Sequence, residues 1–424
     1  MTVPVLDVLG PARGRAALTG DAPLRVVSIS HSAVRAGAAR MRYEALAGDP
    51  QLDLTLVVPE VWHEYGQAER AEPSRTRLRV RVEAARLTRG GPAKWYLHHY
   101  PRLRGLLRAL RPDVIHLWEE PWSLVALQAA RLRDSVAPGA ALLLETDQNI
   151  LRRLPPGFEQ IRRYTLARTD LLVARCEEAL AVSRACGFGG AAEFVEYGIN
   201  ETVFFPRDRA AARAAHGVDP DAAPGAGRPL RLGYVGRLVP EKGLDDVLAA
   251  LHRCPAPVAL ALLGDGPEKA GLLARAAALG LADRVQAYAP RPPSGVAEFI
   301  ASLDALVLMS RTTRTWKEQF GRVIMEAHAC GVPVIGSSSG SIPSVVGRGG
   351  WIVPEGDTPA LAALLARLAA SPDEVALAGE VGRREAERRF GGATIAADLK
   401  RAWVRAAAIR QEGQADTVHH GARP

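Results

Sequence analysis

The chain has 424 residues, 48% hydrophobic, 24% charged and 5% aromatic, a content that fits two or three domains of roughly 150 residues and excludes a disordered chain or a mini-protein. Every apolar run is broken by Arg, Asp, Glu, Pro or Gly before the roughly 18 consecutive apolar residues of a spanning helix, and MTVPVLDVLGPARGRAAL has no basic start, apolar core and cleavage site of a secretory leader, so a cytoplasmic protein is expected. The net charge of +8 is concentrated: Arg70 to Pro112 holds eleven Arg and one Lys against Glu72 and Glu83, which argues for one basic surface and against a nucleic-acid partner. Cys176, Cys186, Cys254 and Cys330 form no CxxC and no zinc-type cluster, so reduced thiols and no metal are expected.

Short apolar β-rich runs alternate with Ala/Leu/Arg-rich helical stretches from end to end, the pattern of parallel sheets with crossover helices. In the first half, strands are expected at Leu24–Ser30, Leu54–Pro59, Asp113–Glu119, Ala141–Thr146, Leu171–Cys176 and Phe194–Tyr197. Helices are expected there at Arg35–Ala47, Leu103–Arg111, Trp122–Arg133 and Phe158–Arg168. Arg75 to Val82 reads R-T-R-L-R-V-R-V, whose alternation puts Arg75, Arg77, Arg79 and Arg81 on one face of a strand. Asp219–Pro229, rich in Pro, Gly and Ala, is the clearest internal loop, and a second α/β unit follows it. Its strands are expected at Leu230–Gly236, Val258–Gly264, Val285–Ala289, Ala305–Met309 and Val332–Gly336, and its helices at Leu244–Arg253, Glu268–Leu279, Gly295–Leu303 and Gly321–Cys330. Two doubly wound sheets in one chain leave a cleft, and such sheets bind ligands outside the carboxyl ends of their strands. The expected division is residues 1–205, residues 206–390, a last helix over 391–410 and a disordered tail over 411–424.

Two segments carry chemistry. In EQFGRVIMEAHACGVPVI (Glu318–Ile335), a loop leads at Gly321 into a helix that Gly331 and Pro333 end. The free N–H groups of Phe320, Gly321 and Arg322 would make an anion site at the helix start. Glu318 lies before the helix and Glu326 more than a turn inside it, so the two carboxylates could grip different hydroxyl-bearing parts of one ligand. In LGYVGRLVPEKG (Leu232–Gly243), Arg237 and Lys242 stand on the loop after a strand, where two fixed cations suit the charge that builds on a diphosphate leaving group.

Together with LLGDGPE (Leu262–Glu268), these segments resemble the signature of retaining glycosyltransferases of family 4, which have the two-domain GT-B fold. The resemblance covers most of Leu230–Asp357 and continues more weakly through Leu24–Pro206. It implies two Rossmann-like domains facing a central cleft, an N-terminal acceptor domain and a C-terminal donor domain, with the last helix crossing back to the first. It implies a nucleotide diphosphate sugar as donor, UDP-linked as first guess and GDP-linked as second, with no cofactor and no metal. Arg237 and Lys242 would bind the diphosphate, Glu318 the donor sugar, Glu326 the ribose, the backbone at Phe320–Arg322 the phosphate and sugar, and the loops at Gly264 and Arg291 the base. Gly37 would be a backbone phosphate contact, standing where many members have two glycines. The hexose-type sugar would pass with retained configuration to a hydroxyl of a sugar, lipid-linked or small-molecule acceptor.

In PDVIHLWEEPWS (Pro112–Ser123), Trp118 or Glu119 stands where many members have a histidine near the reacting sugar. His116, Trp118, Glu119 and Glu120 are therefore the acceptor-side candidates, with Glu119 nearest the acceptor. His116 and Trp118 end an apolar strand and read equally well as core. The basic block Arg70–Pro112 reads either as the solvated face of an edge strand or as a surface for acidic lipid headgroups or a charged acceptor, with KWYLHHYPRLRGLLRALR (Lys94–Arg111) lying at the interface. A non-catalytic nucleotide-sugar-binding partner and an epimerase of the same fold are the rival functions.

Overall fold

The computed structural model describes residues 22–35, 37–64, 67–74, 76–87, 92–216 and 229–420. Arg75, most of the loop Asp219–Pro229 and the last four residues of the expected tail lie outside these residues.

The first half holds strands β1 (Leu24–Ile29), β2 (Leu52–Pro59), β3 (Val61–Glu64), β4 (Gln67–Arg70), β5 (Arg79–Glu83), β6 (Arg86–Leu87), β7 (His98–His99), β8 (Val114–Trp118), β9 (Ala141–Thr146), β10 (Leu171–Ala174) and β11 (Ala191–Phe194). Its helices are α1 (Ala38–Leu46), α2 (Leu103–Leu110), α3 (Leu124–Val136), α4 (Pro156–Leu166), α5 (Glu177–Ala185) and α6 (Arg209–Ala214). Seven strands form one parallel sheet in the order β11-β10-β9-β8-β1-β2-β5, while β3 pairs with β4 and β6 with β7 in two short antiparallel ribbons. The chain adds β2 and β5 on one side of β1 and then crosses over to add β8 on the other. The strand order therefore reverses between β1 and β8.

The second half holds β12 (Leu230–Val235), β13 (Val258–Leu263), β14 (Val285–Tyr288), β15 (Ala305–Leu308), β16 (Val334–Ser337) and β17 (Gly350–Val353). Its helices are α7 (Leu244–Arg253), α8 (Lys269–Ala278), α9 (Pro293–Ala301), α10 (Arg322–Ala329), α11 (Ile342–Val346), α12 (Thr358–Ala370), α13 (Pro372–Phe390) and α14 (Gly392–His420). The parallel sheet runs β14-β13-β12-β15-β16-β17, so its order reverses between β12 and β15. The expected class, α/β with two Rossmann-like doubly wound domains, is what the chain forms. Central strands such as LLLET and LALL are buried on both faces, and such strands read as unbroken apolar runs.

Several expectations are corrected. The strand placed at Phe194–Tyr197 is Ala191–Phe194, paired in register with Leu171–Ala174. The arginine strand begins at Arg79 and forms an edge of the sheet; Arg77, Arg79 and Arg81 are exposed, Leu78 is buried and Val80 half-buried, but Thr76 and Val82 on the same face are exposed, so the alternation holds only in the middle of the segment. Lys94–Arg111 is no single interfacial helix. It breaks into a 3-10 turn, β7 and α2, and Tyr100, Leu103 and Leu107 are fully buried, so these apolar side chains face the core of the first domain. The tail expected over 411–424 continues α14 to His420, held where Arg410 Nη2 and Gln414 Nε2 donate to the Pro138 carbonyl at 2.7 and 3.1 Å. Polar contacts to another part of the chain, invisible to periodicity, order that end. Among the described residues no helix is long and apolar enough to cross a membrane.

Candidate active site

Both reversals of strand order open on the same cleft, and crevices at such reversals outside the carboxyl ends of strands are where doubly wound sheets bind ligands. At the second one, the loop after β12 carries Arg237 and Lys242, and the loop after β15 carries Ser310 and Glu318. Lys242 Nζ lies 2.6 Å from Glu318 Oε2, the Ser310 hydroxyl donates to the same oxygen at 2.7 Å, and Lys242 Nζ sits 4.7 Å from the centre of the Trp316 ring. Tyr234 Oη donates to the Arg237 carbonyl at 2.7 Å. Burial raises the Tyr234 pKa; the charge of Glu318 adds to the rise and that of Arg237 opposes it. Lys242 and Glu318 thus meet directly, and Arg237 stands on the same loop as Lys242, with Tyr234 beneath it feeling the charges of both Arg237 and Glu318.

Helix α10 begins one loop away. Gly321 holds the left-handed conformation, φ +77°, and caps the helix with no side-chain bond, so the helix start offers backbone N–H groups to an anion. Any side chain there is strained by this φ, and a Cβ would come within 2.8 Å of Ile324 Cδ1. Arg322 is exposed beside it. Phe320 packs its ring at 5.1 Å from Tyr197 and 5.9 Å from Phe390, so only its backbone belongs to the turn. Glu326 lies within α10, half-buried, and burial raises its pKa against the opposing charge of Arg322.

Gly264 is required by packing. At φ +151° its Cβ would stand 1.9 Å from the Gly236 carbonyl oxygen, so the loop after β13 rests directly on the loop that leads to Arg237. Arg291 is an exposed residue whose Nη1 lies 3.2 Å from His216 Nε2. Gly37 caps α1 in an extended conformation with open space around a Cβ, so nothing in its surroundings demands glycine.

The wall contributed by the first domain differs from expectation at His116. Its side chain is fully buried, with Nδ1 3.0 Å from Ser28 Oγ and Nε2 2.9 Å from Glu145 Oε2, and its ring lies 5.9 Å from Trp403 of α14. Burial first, then the charges of Arg42 and Arg175, lower its pKa well below the usual histidine value. His116 is a core histidine, because its face of β8 is the one α14 covers. Trp118, two residues on, shares that face and is buried beneath Arg42, whose guanidinium sits 4.0 Å from the ring centre. Neither lines the cleft.

Glu119 and Glu120 stand where β8 ends. Glu119 is buried and accepts from the His31 backbone N–H at 3.1 Å and from His31 Nδ1 at 2.8 Å to each oxygen. His98 Nε2 lies 3.6 Å away. Burial pushes the Glu119 carboxyl up, but the two histidines outweigh it and hold it down at about 2. Glu120 accepts from Thr146 Oγ1 at 2.8 Å and from the Asp147 N–H at 3.3 Å. Burial and then the Asp147 carboxylate push Glu120 up to about 8. His31 and His98 were missed by sequence reasoning. His31 directly follows a strand's carboxyl end in S-H-S, a usable signal; His98 sits in a turn-and-ribbon segment that carries none.

The two walls touch. Asn149 Nδ2 donates to the Glu318 carbonyl at 3.0 Å, and Gln319 Nε2 donates to the Asp147 carbonyl at 3.0 Å. Arg152 Nη2 donates to the Thr315 carbonyl at 2.6 Å, and Lys317 pairs with Glu178.

Residues 222–385 match the family model of glycosyl transferases group 1. The chain is 34% identical over 205 residues to a D-inositol 3-phosphate glycosyltransferase of Segniliparus rotundus, covering 46% of this chain and 43% of that protein. It is 32% identical over 318 residues to one of Streptomyces bingchenggensis, covering 71% and 65%. The chain spans about half the length of the curated relatives it matches. Among solved structures, Anabaena Alr3699/HepE in complex with UDP and glucose superposes with a TM-score of 0.64 at 18% identity, over 89% of this chain and 98% of that one. Sucrose-phosphate synthase from Thermosynechococcus elongatus superposes with a TM-score of 0.67 at 21% identity, over 90% and 98%. At these identities the likeness shows the fold, which is GT-B.

Proposed function

We propose that this chain, with its glycosyl transferases group 1 domain over residues 222–385, is a retaining glycosyltransferase of family 4. It moves a hexose-type sugar from a nucleotide diphosphate sugar to an acceptor hydroxyl. The observation that carries this reading is the grouping of Lys242, Ser310 and Glu318 at the reversal point of the second sheet, with Arg237 on the same loop as Lys242, one loop from the start of α10, where no side chain bonds the free N–H groups.

In this reading the diphosphate sits between Arg237, Lys242 and the backbone N–H groups at the start of α10. Those groups stabilise the charge that develops on its oxygens as the sugar–phosphate bond breaks. Lys242 and Ser310 both engage Glu318 Oε2, which fixes the carboxylate so that Oε1 can accept from hydroxyls of the sugar. Glu326 accepts from the ribose diol. The acceptor oxygen attacks the anomeric carbon on the face from which the diphosphate departs, and an oxygen of the diphosphate takes the acceptor's proton. No cofactor or metal takes part. UDP-linked donors are the first candidates and GDP-linked donors the second. A phosphorylated cyclitol is the first acceptor to try, because the relatives named above act on D-inositol 3-phosphate.

Thermal melting with UDP, GDP, ADP and dTDP tests the donor site. A diphosphate at 100 times its dissociation constant adds about 2.7 kcal/mol, so one of them should raise the melting temperature of the wild type and not that of Glu326→Ala. Turnover of the matching nucleotide sugar should fall by orders of magnitude in Glu318→Ala. A binding subunit would lose only affinity, and absence of any shift from a folded protein in ligand excess would refute the donor site.

A further inference from the structure

The reversal point of the first sheet lies between β1 and β8, and the residues that follow those strands there are His31 and Glu119. Their arrangement is a built one. Both oxygens of the buried Glu119 carboxylate lie 2.8 Å from His31 Nδ1, and one also accepts the His31 backbone N–H. The imidazole is packed between Trp62 and Trp95, with ring centroids at 4.5 and 5.2 Å, and His98 meets it edge-on at 5.7 Å. Nothing in the ring can turn without losing the carboxylate or the aromatic packing. With Nδ1 turned to the Glu119 carboxylate, Nε2 is the ring nitrogen left to meet a ligand, as a donor in the imidazolium and as an acceptor in the neutral ring. It has no hydrogen-bond partner among the described residues, and the side chain keeps 19% of its surface exposed.

We propose that His31, oriented by Glu119, is the acceptor-binding residue of the first domain, its Nε2 hydrogen-bonding a hydroxyl of a sugar or cyclitol acceptor. This rests on the transferase reading above and adds to it the acceptor subsite. The two reversal points then divide the substrates: Lys242 and Glu318 hold the donor at the second, and His31 and Glu119 hold the acceptor at the first. The loop of residues 315–319 from the donor side already bonds Asp147 and Asn149 beside Glu120, so the two subsites border one space. The arrangement also explains why Glu119 stands at the end of β8: its carboxylate aims a histidine supplied by the neighbouring strand.

The test uses His31→Asn, whose amide can still donate to Glu119 while lacking Nε2, and Glu119→Gln, which removes the charge that aims the ring. Transfer is measured from the nucleotide sugar matching the diphosphate that shifts the wild type. D-inositol 3-phosphate, methyl α-glucoside and methyl α-mannoside are the trial acceptors, and water serves as acceptor in donor hydrolysis. The expected result is a fall of about ten- to a hundredfold in kcat/KM for the acceptor in both variants, carried mainly by acceptor KM in His31→Asn. Donor KM and the diphosphate-induced melting shift should stay as in the wild type. Wild-type acceptor kinetics in a folded His31→Asn would overturn the proposal and leave the transferase reading standing. A wild type that neither transfers nor hydrolyses any nucleotide sugar would overturn both. Because His31, His98 and Glu119 also have ligand atoms within 4.8 Å of one another, Zn2+ is added to the nucleotide-free protein: stabilisation of the wild type but not of His31→Asn would assign the histidine to a cation instead. If His31→Asn fails to fold, the split between donor and acceptor KM in Glu119→Gln decides.

Discussion

Glu119 and Glu120 are adjacent carboxylates with opposite surroundings, and each fixes a pH dependence. Glu120 has its pKa raised to about 8, by burial first and by Asp147 next. The native state therefore holds a proton that the unfolded chain, titrating near 4.5, has lost, and stability falls as pH rises from about 4.5 to about 8. The slope is at most about 1.4 kcal/mol per pH unit. Melting temperature measured across that window should decline less steeply in Glu120→Gln, which keeps the neutral form's shape. Glu119 has the reverse sign: held at about 2, it contributes stability that is present above about 4.5 and lost as pH falls towards 2. At this scale the positions of the residues proposed to hold the donor were legible because local order places them: Arg237 and Lys242 follow one strand and Glu318 precedes one helix. His116 was not legible, since a strand residue at i and one at i+2 share a face whichever element covers that face.

At the scale of elements, α14 is the part of the chain farthest in sequence from the sheet it covers. Ile395, Leu399, Trp403 and Ala406 are fully buried in one apolar cluster with Val26, Val114, Leu143 and Leu171. Trp403 also stacks on Tyr43 at 6.5 Å and meets His116 edge-on. Trp403→Ala should cost about 3–5 kcal/mol, as large-to-small changes of buried aromatics do, and chemical denaturation should show the loss in the transition of the first domain. Most sheet strands could be read from their apolar runs to within a residue or two. The ribbons β3–β4 and β6–β7 could not, because VWHE, QAER, RL and HH are too short and polar to show a period. The strand β5 could be read, and its exposed arginines fit a sheet edge, where charge discourages pairing with another chain. The described side chains of Lys94–Arg111 illustrate the limit: the same amphipathic pattern serves an interface or a core, and here Tyr100, Leu103 and Leu107 face the core.

For the whole molecule, the contacts across the cleft matter most. Asn149 is nearly buried, and its amide donates to the carbonyl of Glu318, the residue that engages Lys242. Asn149→Ala removes that donor and leaves the carbonyl with the Ser341 N–H at 3.2 Å. Loss of a buried hydrogen bond of this kind costs about 1–3 kcal/mol. Hydrogen exchange over residues 315–320 should quicken in this variant, and turnover of the donor should fall about tenfold, while the exchange of β12 and β13 stays unchanged. The sequence by itself determined the two α/β units and the loop and helix-start positions of Arg237, Lys242, Glu318 and Gly321, because parallel strands buried on both faces and a glycine-started helix are local patterns. Only the tertiary structure decided which sheet face α14 covers, that His116 is core, and that His31 from β1 meets Glu119 from β8. The last pairing joins residues 88 positions apart through strand order, and strand order is set by how the crossovers pack rather than by any neighbouring residue.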